Sequence, residues 1–244
     1  SRMRSFLPTV HDFKESLGGR VIIEMDDLTR VVQDACLMDI KMGVRTFTET
    51  DVSTNELRAD LLQKMLKVDP KAATPDEVRQ GGITKLRYLR FRESTTTTLM
   101  LGFRIDAVRL AGGAGDDNAS LIDQDRLRTV ETEGEARDVL LQFIRRRPDL
   151  RASFEQNVTN LRDQIEKCDC FMAHSFIRTS LLFIYSNVTH QTSVHVIDLS
   201  RAYDAERVLT HRSAWESGNH EDGYLTGVDN IIRILKDMEA ETLR

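Results

Sequence analysis

Apolar and polar positions change their period several times along this chain of 244 residues, and each change predicts an element. Val21-Ile22-Ile23-Glu24-Met25 is a short β-branched run and predicts a strand. Asp26-Asp27-Leu28-Thr29 predicts a turn into a short helix over 30–34, and a second strand follows over 36–42, ended by Gly43. Over 55–67, Leu57, Leu61, Leu62, Met65 and Leu66 fall at helical spacing, and Asp69-Pro70 closes that helix. Thr74-Pro75-Asp76-Glu77 predicts a helix start, with threonine as cap, proline at the first position and acids in the first turn. The second half of 99–110 alternates (Phe103, Ile105, Ala107) and predicts a strand, whereas the glycine-rich 111–118 has no period and predicts a surface loop.

Helices are predicted over 134–146, with Ala136, Val139, Leu140, Phe143 and Ile144 on one face, and from Pro148, with Leu150, Phe154, Val158, Leu161 and Ile165 as its stripe. Ser180–Ser186 and 192–199 predict a hairpin joined through 187–191. A last helix is predicted from about Glu221, turning Leu225, Val228, Ile231, Ile232, Leu235 and Met238 inward. Strands and helices come in blocks and then mix, which predicts an α+β fold rather than a parallel doubly wound sheet.

Composition narrows the function classes. There are 34 Lys and Arg against 39 Asp and Glu, a net charge of −5, so no global basic field exists to hold nucleic acid or an anionic membrane. No apolar run approaches the roughly 18 residues of a membrane span, and the first residues carry no apolar signal-peptide core. Three cysteines (Cys36, Cys168, Cys170) make no disulfide framework, which predicts a reducing, cytoplasmic setting. Cys168-x-Cys170 lacks C-x-x-C metal spacing, so core thiols are expected there.

Four groups stand out as candidate chemistry. Asp39 and Lys41 lie i and i+2 on a predicted strand and project to one face. A carboxylate beside an ammonium suits phosphoryl transfer; an edge-strand ion pair is the alternative. Val196-Ile197-Asp198 delivers one aspartate at a strand end, a position that suits magnesium as well as a plain turn. Between Arg79 and Arg92 there are five cations, Arg79, Lys85, Arg87, Arg90 and Arg92, and no carboxylate. On a helix, Lys85, Tyr88 and Arg92 share one side and Arg90 turns away. So short a stripe favours a compact multi-phosphate ligand over RNA or a merely solvated face. Ala214–Leu225 holds the single tryptophan and a polar turn, which predicts a helix start; a metal site from Glu216, His220 and Asp222 is the weaker alternative. His174, His190, His195 and His211 form no ligand or triad pattern, and there is no G-x-S-x-G, P-loop or G-x-G-x-x-G.

Taken together these segments resemble the inositol polyphosphate kinase family, most closely its inositol 1,4,5-trisphosphate 3-kinase branch. Asp39-Ile40-Lys41-Met42-Gly43-Val44-Arg45-Thr46 is similar to the family's D-x-K-x-G signature with its K-M-G-x-R-T extension. The resemblance continues in order through Val68-Asp69-Pro70, Thr84-Lys85, Arg87-Tyr88, Arg92-Glu93, Leu101-Gly102-Phe103-Arg104-Ile105, Val196-Ile197-Asp198 and Glu216-x-Gly218-Asn219-x-Glu221-Asp222-Gly223-Tyr224-Leu225. It implies a kinase-like two-lobed fold with an incomplete N-lobe: residues 1–34 as N-lobe remnant and hinge, 35–244 as C-lobe, and a helical substrate-binding insert at about 50–95.

The resemblance further implies roles by position. Asp26, Asp27 and Leu28 match the hinge that meets adenine and ribose. Asp39 and Arg109 match residues at the ATP end, Asp198 the magnesium aspartate, and Lys41 the lysine on substrate phosphate. Arg58, Lys64, Lys85, Tyr88 and Arg92 match the rest of the inositol phosphate pocket. Arg201 stands where the family has lysine, because Leu199-Ser200-Arg201 replaces F-G-K. Ala35 and Leu86 each replace a family proline. The implied cofactors are ATP and Mg2+. The implied reaction is phosphorylation of the 3-hydroxyl of inositol 1,4,5-trisphosphate, in calcium signalling. The family's N-lobe lysine and, in animal enzymes, its calmodulin-binding segment lie upstream of Ser1. A multikinase of broader specificity, and an inositol phosphate binding protein without turnover, remain as alternatives.

Overall fold

The computed structural model describes residues 2–15, 21–111 and 120–242. After a 3-10 turn (Arg2–Phe6), β1 (Val10–Glu15) and β2 (Val21–Met25) form an antiparallel hairpin. β3 (Ala35–Met42) follows, then α1 (Ala59–Val68), α2 (Pro75–Gln80), α3 (Lys85–Ser94) and the one-turn α4 (Thr98–Leu101). Next come β4 (Phe103–Leu110), β5 (Ser120–Leu121), α5 (Gln124–Arg128), α6 (Glu133–Phe143), α7 (Pro148–Ile165) and the one-turn α8 (Asp169–Met172). The chain ends with β6 (His174–Phe176), β7 (Ser180–Ser186), β8 (Thr192–Ile197), a 3-10 turn (Leu199–Arg201), β9 (Ala202–Asp204) and α9 (Tyr224–Thr242).

Five strands form the central sheet in the order β5-β4-β3-β7-β8, every neighbour antiparallel. On β3 the alternation buries Cys36, Met38, Ile40 and Met42 and leaves Asp39 and Lys41 on the other face. The buried face packs against α6, α7 and α9. Leu150, Phe154, Val158, Leu161 and Ile165 of α7 are fully buried, so the predicted stripe is the core stripe. Phe154 stacks on Phe183 at 4.9 Å between ring centres. Each such buried side chain contributes about 1.5–3 kcal/mol, which makes this face the anchor for the other. Gly102 has a left-handed φ of 69°, and a Cβ there would meet the Gly227 nitrogen at 2.7 Å; the start of β4 can lie on α9 only because both positions lack side chains.

A second, smaller apolar cluster lies within 50–95. Leu61, Leu62, Met65, Ile83 and Phe91 are buried there, with Tyr88 packed against them. Thr74 makes the predicted cap, its hydroxyl accepting from Glu77 N while Glu77 returns a bond to Thr74 N.

Several expectations are corrected. Residues 30–34 are turns, too short to close a helix against a core. The helix expected over 55–67 starts at Ala59, because Arg58 is held in a β-bridge to Ile83, and Leu57 is exposed. The first part of 99–110 is the helical turn α4, ended by left-handed Gly102. The helix expected to reach 146 ends at Phe143, with Arg145 and Arg146 both at positive φ. β8 ends at Ile197, and α9 starts at Tyr224 because Asp222 accepts from the Tyr224 N–H and terminates the preceding loop. Cys170 is exposed rather than in a core. Most of the 111–118 loop lies outside the described residues. Among the described residues no helix is long and apolar enough to cross a membrane.

Candidate active site

The open face of the sheet carries the charges. Lys41 Nζ donates to Asp198 Oδ2 at 2.6 Å and lies 3.6 Å from Asp39 Oδ2. The register explains the reach: Lys41, Ser180 and Ile197 share one rung across β3, β7 and β8, and Asp198 is the next residue. Asp198 turns the chain with a left-handed φ of 62°, a conformation aspartate tolerates better than most side chains. Asp39 Oδ1 is buried without a hydrogen-bond partner, and burial pushes the Asp39 carboxyl above the ordinary carboxylate range. Burial alone would lower the Lys41 ammonium; the bond to Asp198 and the charge of Asp39 outweigh it and raise it.

Sequence reasoning missed two neighbours on this face. Arg104 is paired with Lys41 in the β3–β4 register, and Asp106 sits where that register shifts. Arg104 Nε bonds Asp106 Oδ1 at 3.2 Å, and Asp106 acts electrostatically on both Asp39 and Lys41. The signal was present: both residues alternate with buried Phe103 and Ile105. His195 occupies the Asp39–Leu182 rung, half-buried with Nδ1 unpartnered, and burial lowers its pKa.

The loop after β3 builds the wall of a cavity. Gly43, at φ 96°, passes so close to Asp222 that a Cβ would lie 2.9 Å from its carbonyl oxygen. Arg45 is then drawn inside, only 2% exposed, donating to the carbonyls of Phe47 (2.6 Å), Glu221 (2.8 Å) and His220 (3.0 Å). Trp215 meets Phe47 edge-on at 5.1 Å, with the guanidinium of Arg45 on one contact and that of Arg90 on another, 5.8 and 5.1 Å from the Trp215 ring centre. The cavity, about 530 Å3, is lined by Lys85 and Arg201 together with Arg45, Asp51, Asp204 and His220. Lys85 bonds Asp51 at 3.1 Å, and the Thr48 N–H with Lys85 holds Asp51 down to about 2. Arg201 pairs with no carboxylate among the described residues.

Other expected site residues have other partners. Arg58 forms a two-bond pair with Asp60, which also accepts from Lys64 at 3.2 Å, and neither cation lines this cavity. Tyr88 packs into the small cluster of the 50–95 segment, and Arg87 is tied to Glu77 and the Ala72 carbonyl. Lys85 and Arg92 line different cavities, and Arg90, expected to point away, is the residue that docks α3 on Trp215. Asp26 is held low by bonds from Thr9 and His11, and Asp27 by Thr29, so both are engaged in the turn after β2; Leu28 is half-buried beside them. Arg109 is exposed on β4 opposite Leu37. The metal trio Glu216, His220 and Asp222 does not form: His220 pairs with Glu49, and Asp222 is buried against His211. Among the described residues no three His, Cys, Asp or Glu side chains are grouped to hold a metal by themselves.

Known proteins match this chain over nearly its whole length. Residues 22–236 match the family described as inositol polyphosphate kinase. An inositol-trisphosphate 3-kinase homolog of Caenorhabditis elegans is 35% identical over 96% of this chain and 46% of its own length. Inositol-trisphosphate 3-kinase A of Rattus norvegicus is 32% identical over 97% of this chain and 50% of its own. The chain thus spans about half the length of these relatives. A solved inositol phosphate multikinase superposes with a TM-score of 0.63 at 17% identity, covering 97% of this chain and 91% of its own. The multikinase of S. cerevisiae, solved in complex with ADP and Mn2+, superposes with a TM-score of 0.59 at 14% identity, covering 96% and 89%. At those identities the superpositions establish the fold, and the sequence match establishes descent: the chain belongs to the inositol polyphosphate kinase family.

Proposed function

We propose that this domain transfers the γ-phosphoryl group of ATP to the 3-hydroxyl of inositol 1,4,5-trisphosphate, giving the 1,3,4,5-tetrakisphosphate. The observation that carries it is the Asp39–Lys41–Asp198 cluster on the open sheet face, with Lys85 and Arg201 lining a cavity formed by the adjoining loop. The names of the relatives support the same substrate. Phosphoryl transfer needs positioning and charge neutralisation more than covalent help; Lys41 would supply one cation, and the two carboxylates would hold another. Lys41 would hold a phosphate oxygen at the reacting end, with Asp39 on the ATP side. Asp26, Asp27, Leu28 and Arg109 would meet the nucleotide, and Lys85 and Arg201 would hold substrate phosphates. Residues 1–34 would serve as hinge and N-lobe portion, 35–244 as C-lobe, and 50–95 as the insert that shapes the substrate side.

The donor set fits a hard divalent cation. Asp39 has an unpartnered buried oxygen, Asp198 is half-exposed, and magnesium takes one or two carboxylates and completes its shell with water and phosphate oxygens. Asp198, with Asp39, would hold it, and the bound ion would neutralise charge on the transferring phosphoryl group. The ADP and Mn2+ of the yeast relative support nucleotide and divalent metal use here.

The test is steady-state kinetics with inositol 1,4,5-trisphosphate and identification of the product. Lys85→Ala with Arg201→Ala is expected to raise KM for the inositol phosphate at least about 10-fold, since each charged contact is worth about 1.5–3 kcal/mol, with KM for ATP little changed. Arg90→Ala is expected to raise the same KM by loosening α3 from Trp215. An unchanged inositol phosphate KM in the double variant would remove this cavity from the substrate site.

A further inference from the structure

The cavity given to the inositol phosphate above is not simply basic. Three cations line it, Arg45, Lys85 and Arg201, and so do three carboxylates, Glu49, Asp51 and Asp204. One charge of each sign belongs to its wall. Arg45 is 2% exposed and commits its guanidinium to the carbonyls of Phe47, His220 and Glu221. Glu49 accepts from the Gly218 N–H at 3.1 Å, the His220 N–H at 3.3 Å and the Trp215 ring N–H at 3.4 Å, and lies 3.2 Å from His220 Nδ1. Lys85 and Arg201 against Asp51 and Asp204 remain to meet a ligand.

Asp51 is the informative residue, because it sits beside a cation the ligand needs. Its Oδ1 accepts from Lys85 Nζ at 3.1 Å, and its Oδ2 accepts from the Thr48 N–H at 3.1 Å and the Thr48 hydroxyl at 3.0 Å. The side chains of Lys85 and Asp51 are 41% and 34% exposed, so the pair is open to what enters the cavity. The Thr48 N–H, with Lys85, holds the Asp51 carboxyl down to about 2, so it stays ionised across the neutral range. An ionised carboxylate only accepts hydrogen bonds. A hydroxyl beside it gains an acceptor, whereas a phosphate beside it meets a like charge.

Adjacent substituents on a six-membered ring lie side by side. A ring that places one phosphate on Lys85 therefore brings the neighbouring substituent to Asp51. We propose that Asp51 is a specificity-determining residue, which admits an inositol phosphate with a free hydroxyl next to the phosphate on Lys85 and turns away more fully phosphorylated rings. Asp204 adds to the effect: its Oδ1 accepts from the Glu206 N–H at 2.8 Å, and its Oδ2 has no hydrogen-bond partner among the described residues. This role of Asp51 rests on the kinase reading, which supplies the ligand. A cavity that only attracted phosphate would lack such a repulsive element and would favour the most highly charged ring.

Calorimetric competition tests it. Inositol 1,4,5-trisphosphate is bound first, and inositol hexakisphosphate, which has no free hydroxyl, is titrated against it. In the wild-type chain the hexakisphosphate is expected to bind at least about 10-fold more weakly, although it carries more charge. Asp51→Asn keeps an acceptor for Thr48 and removes the charge. It is expected to move the ratio of the two affinities at least about 10-fold toward the hexakisphosphate. Asp51→Glu keeps the charge and is expected to hold the ratio within about 3-fold of wild type, which a merely structural role for Asp51 does not require. A wild-type chain that binds the hexakisphosphate as tightly as the trisphosphate overturns this role, and so does an unchanged ratio in Asp51→Asn. In either case the kinase reading stands, provided that Lys85→Ala with Arg201→Ala weakens trisphosphate binding. Trisphosphate binding that is indifferent to that double variant is a different result: it removes the cavity from the substrate site, and the role of Asp51 with it.

Discussion

Lys41→Met is expected to lower kcat at least about 100-fold, the scale seen when one preorganised charge is removed from a reacting centre, while the protein stays folded. Methionine keeps most of the length and the apolar stem of lysine, and the position is a strand residue whose backbone pairs with both β4 and β7. What is lost is the cation between two carboxylates, 2.6 Å from Asp198 and 3.6 Å from Asp39. Without it, both acids face the incoming phosphates unscreened. Asp198, half-exposed, is solvated again at little cost; Asp39, with one oxygen already buried and unpartnered, takes up a proton more readily still. Stability therefore falls modestly and turnover falls steeply. Lys41→Arg is not expected to rescue the rate, because a planar guanidinium cannot place its charge at the single point the ammonium occupies. Turnover above half of wild type, measured with saturating ATP and inositol phosphate, would show that Lys41 is only an ion-pair partner of Asp198.

How much of this could be read from the chain differs between its parts. Elements with a clear pattern were legible: α7 and β3 follow from one side chain in every three to four, or in every two, facing the core, and β7 from a continuous apolar run buried on both faces. The errors sit where tertiary partners decide. Leu57 is in helical register with Leu61, yet the pairing of Arg58 with Ile83 delays α1. In the site, Asp39, Lys41 and Asp198 were separable from ordinary turn and edge residues only through the order of motifs along the chain. Local spacing says nothing about a contact between positions 157 residues apart. The surroundings of the α3 cations were illegible for a different reason. Helical geometry correctly put Lys85, Tyr88 and Arg92 in line, but it cannot say that the 45–48 loop divides their surroundings, or that Arg90 meets Trp215, more than 100 residues further on. Arg45 was legible as part of a motif and illegible as a buried group, because its partners are backbone carbonyls that carry no sequence identity.

Asp222→Ala is expected to destabilise the domain by about 3–5 kcal/mol, the cost of breaking a buried charged network by removing one member. Asp222 is completely buried, and its two oxygens serve three donors. Oδ1 bonds His211 Nδ1 at 2.8 Å and accepts from the Tyr224 N–H at 2.8 Å, which starts α9. Oδ2 accepts from the Phe176 N–H at 2.8 Å, which ties in β6. Removing the carboxylate strands a buried imidazole whose Nε2 already has no partner, and two buried N–H groups with it. The damage reaches the site through the backbone: the Asp222 carbonyl accepts from the Val44 N–H at 2.7 Å, and its neighbours Glu221 and His220 hold Arg45. A shift of one kcal/mol moves the melting temperature of a domain this size by about 2–4 °C, so a loss of roughly 6–20 °C is expected by scanning calorimetry. Asp222→Asn distinguishes the charge from the shape. Its amide can accept at one end only, so it is expected to lose either the Phe176 or the Tyr224 bond and to fall between wild type and alanine. If Asp222→Ala melts within 2 °C of wild type, this loop is held by Arg45 and the Trp215 stack alone, and the carboxylate at the base of the site is dispensable for its shape.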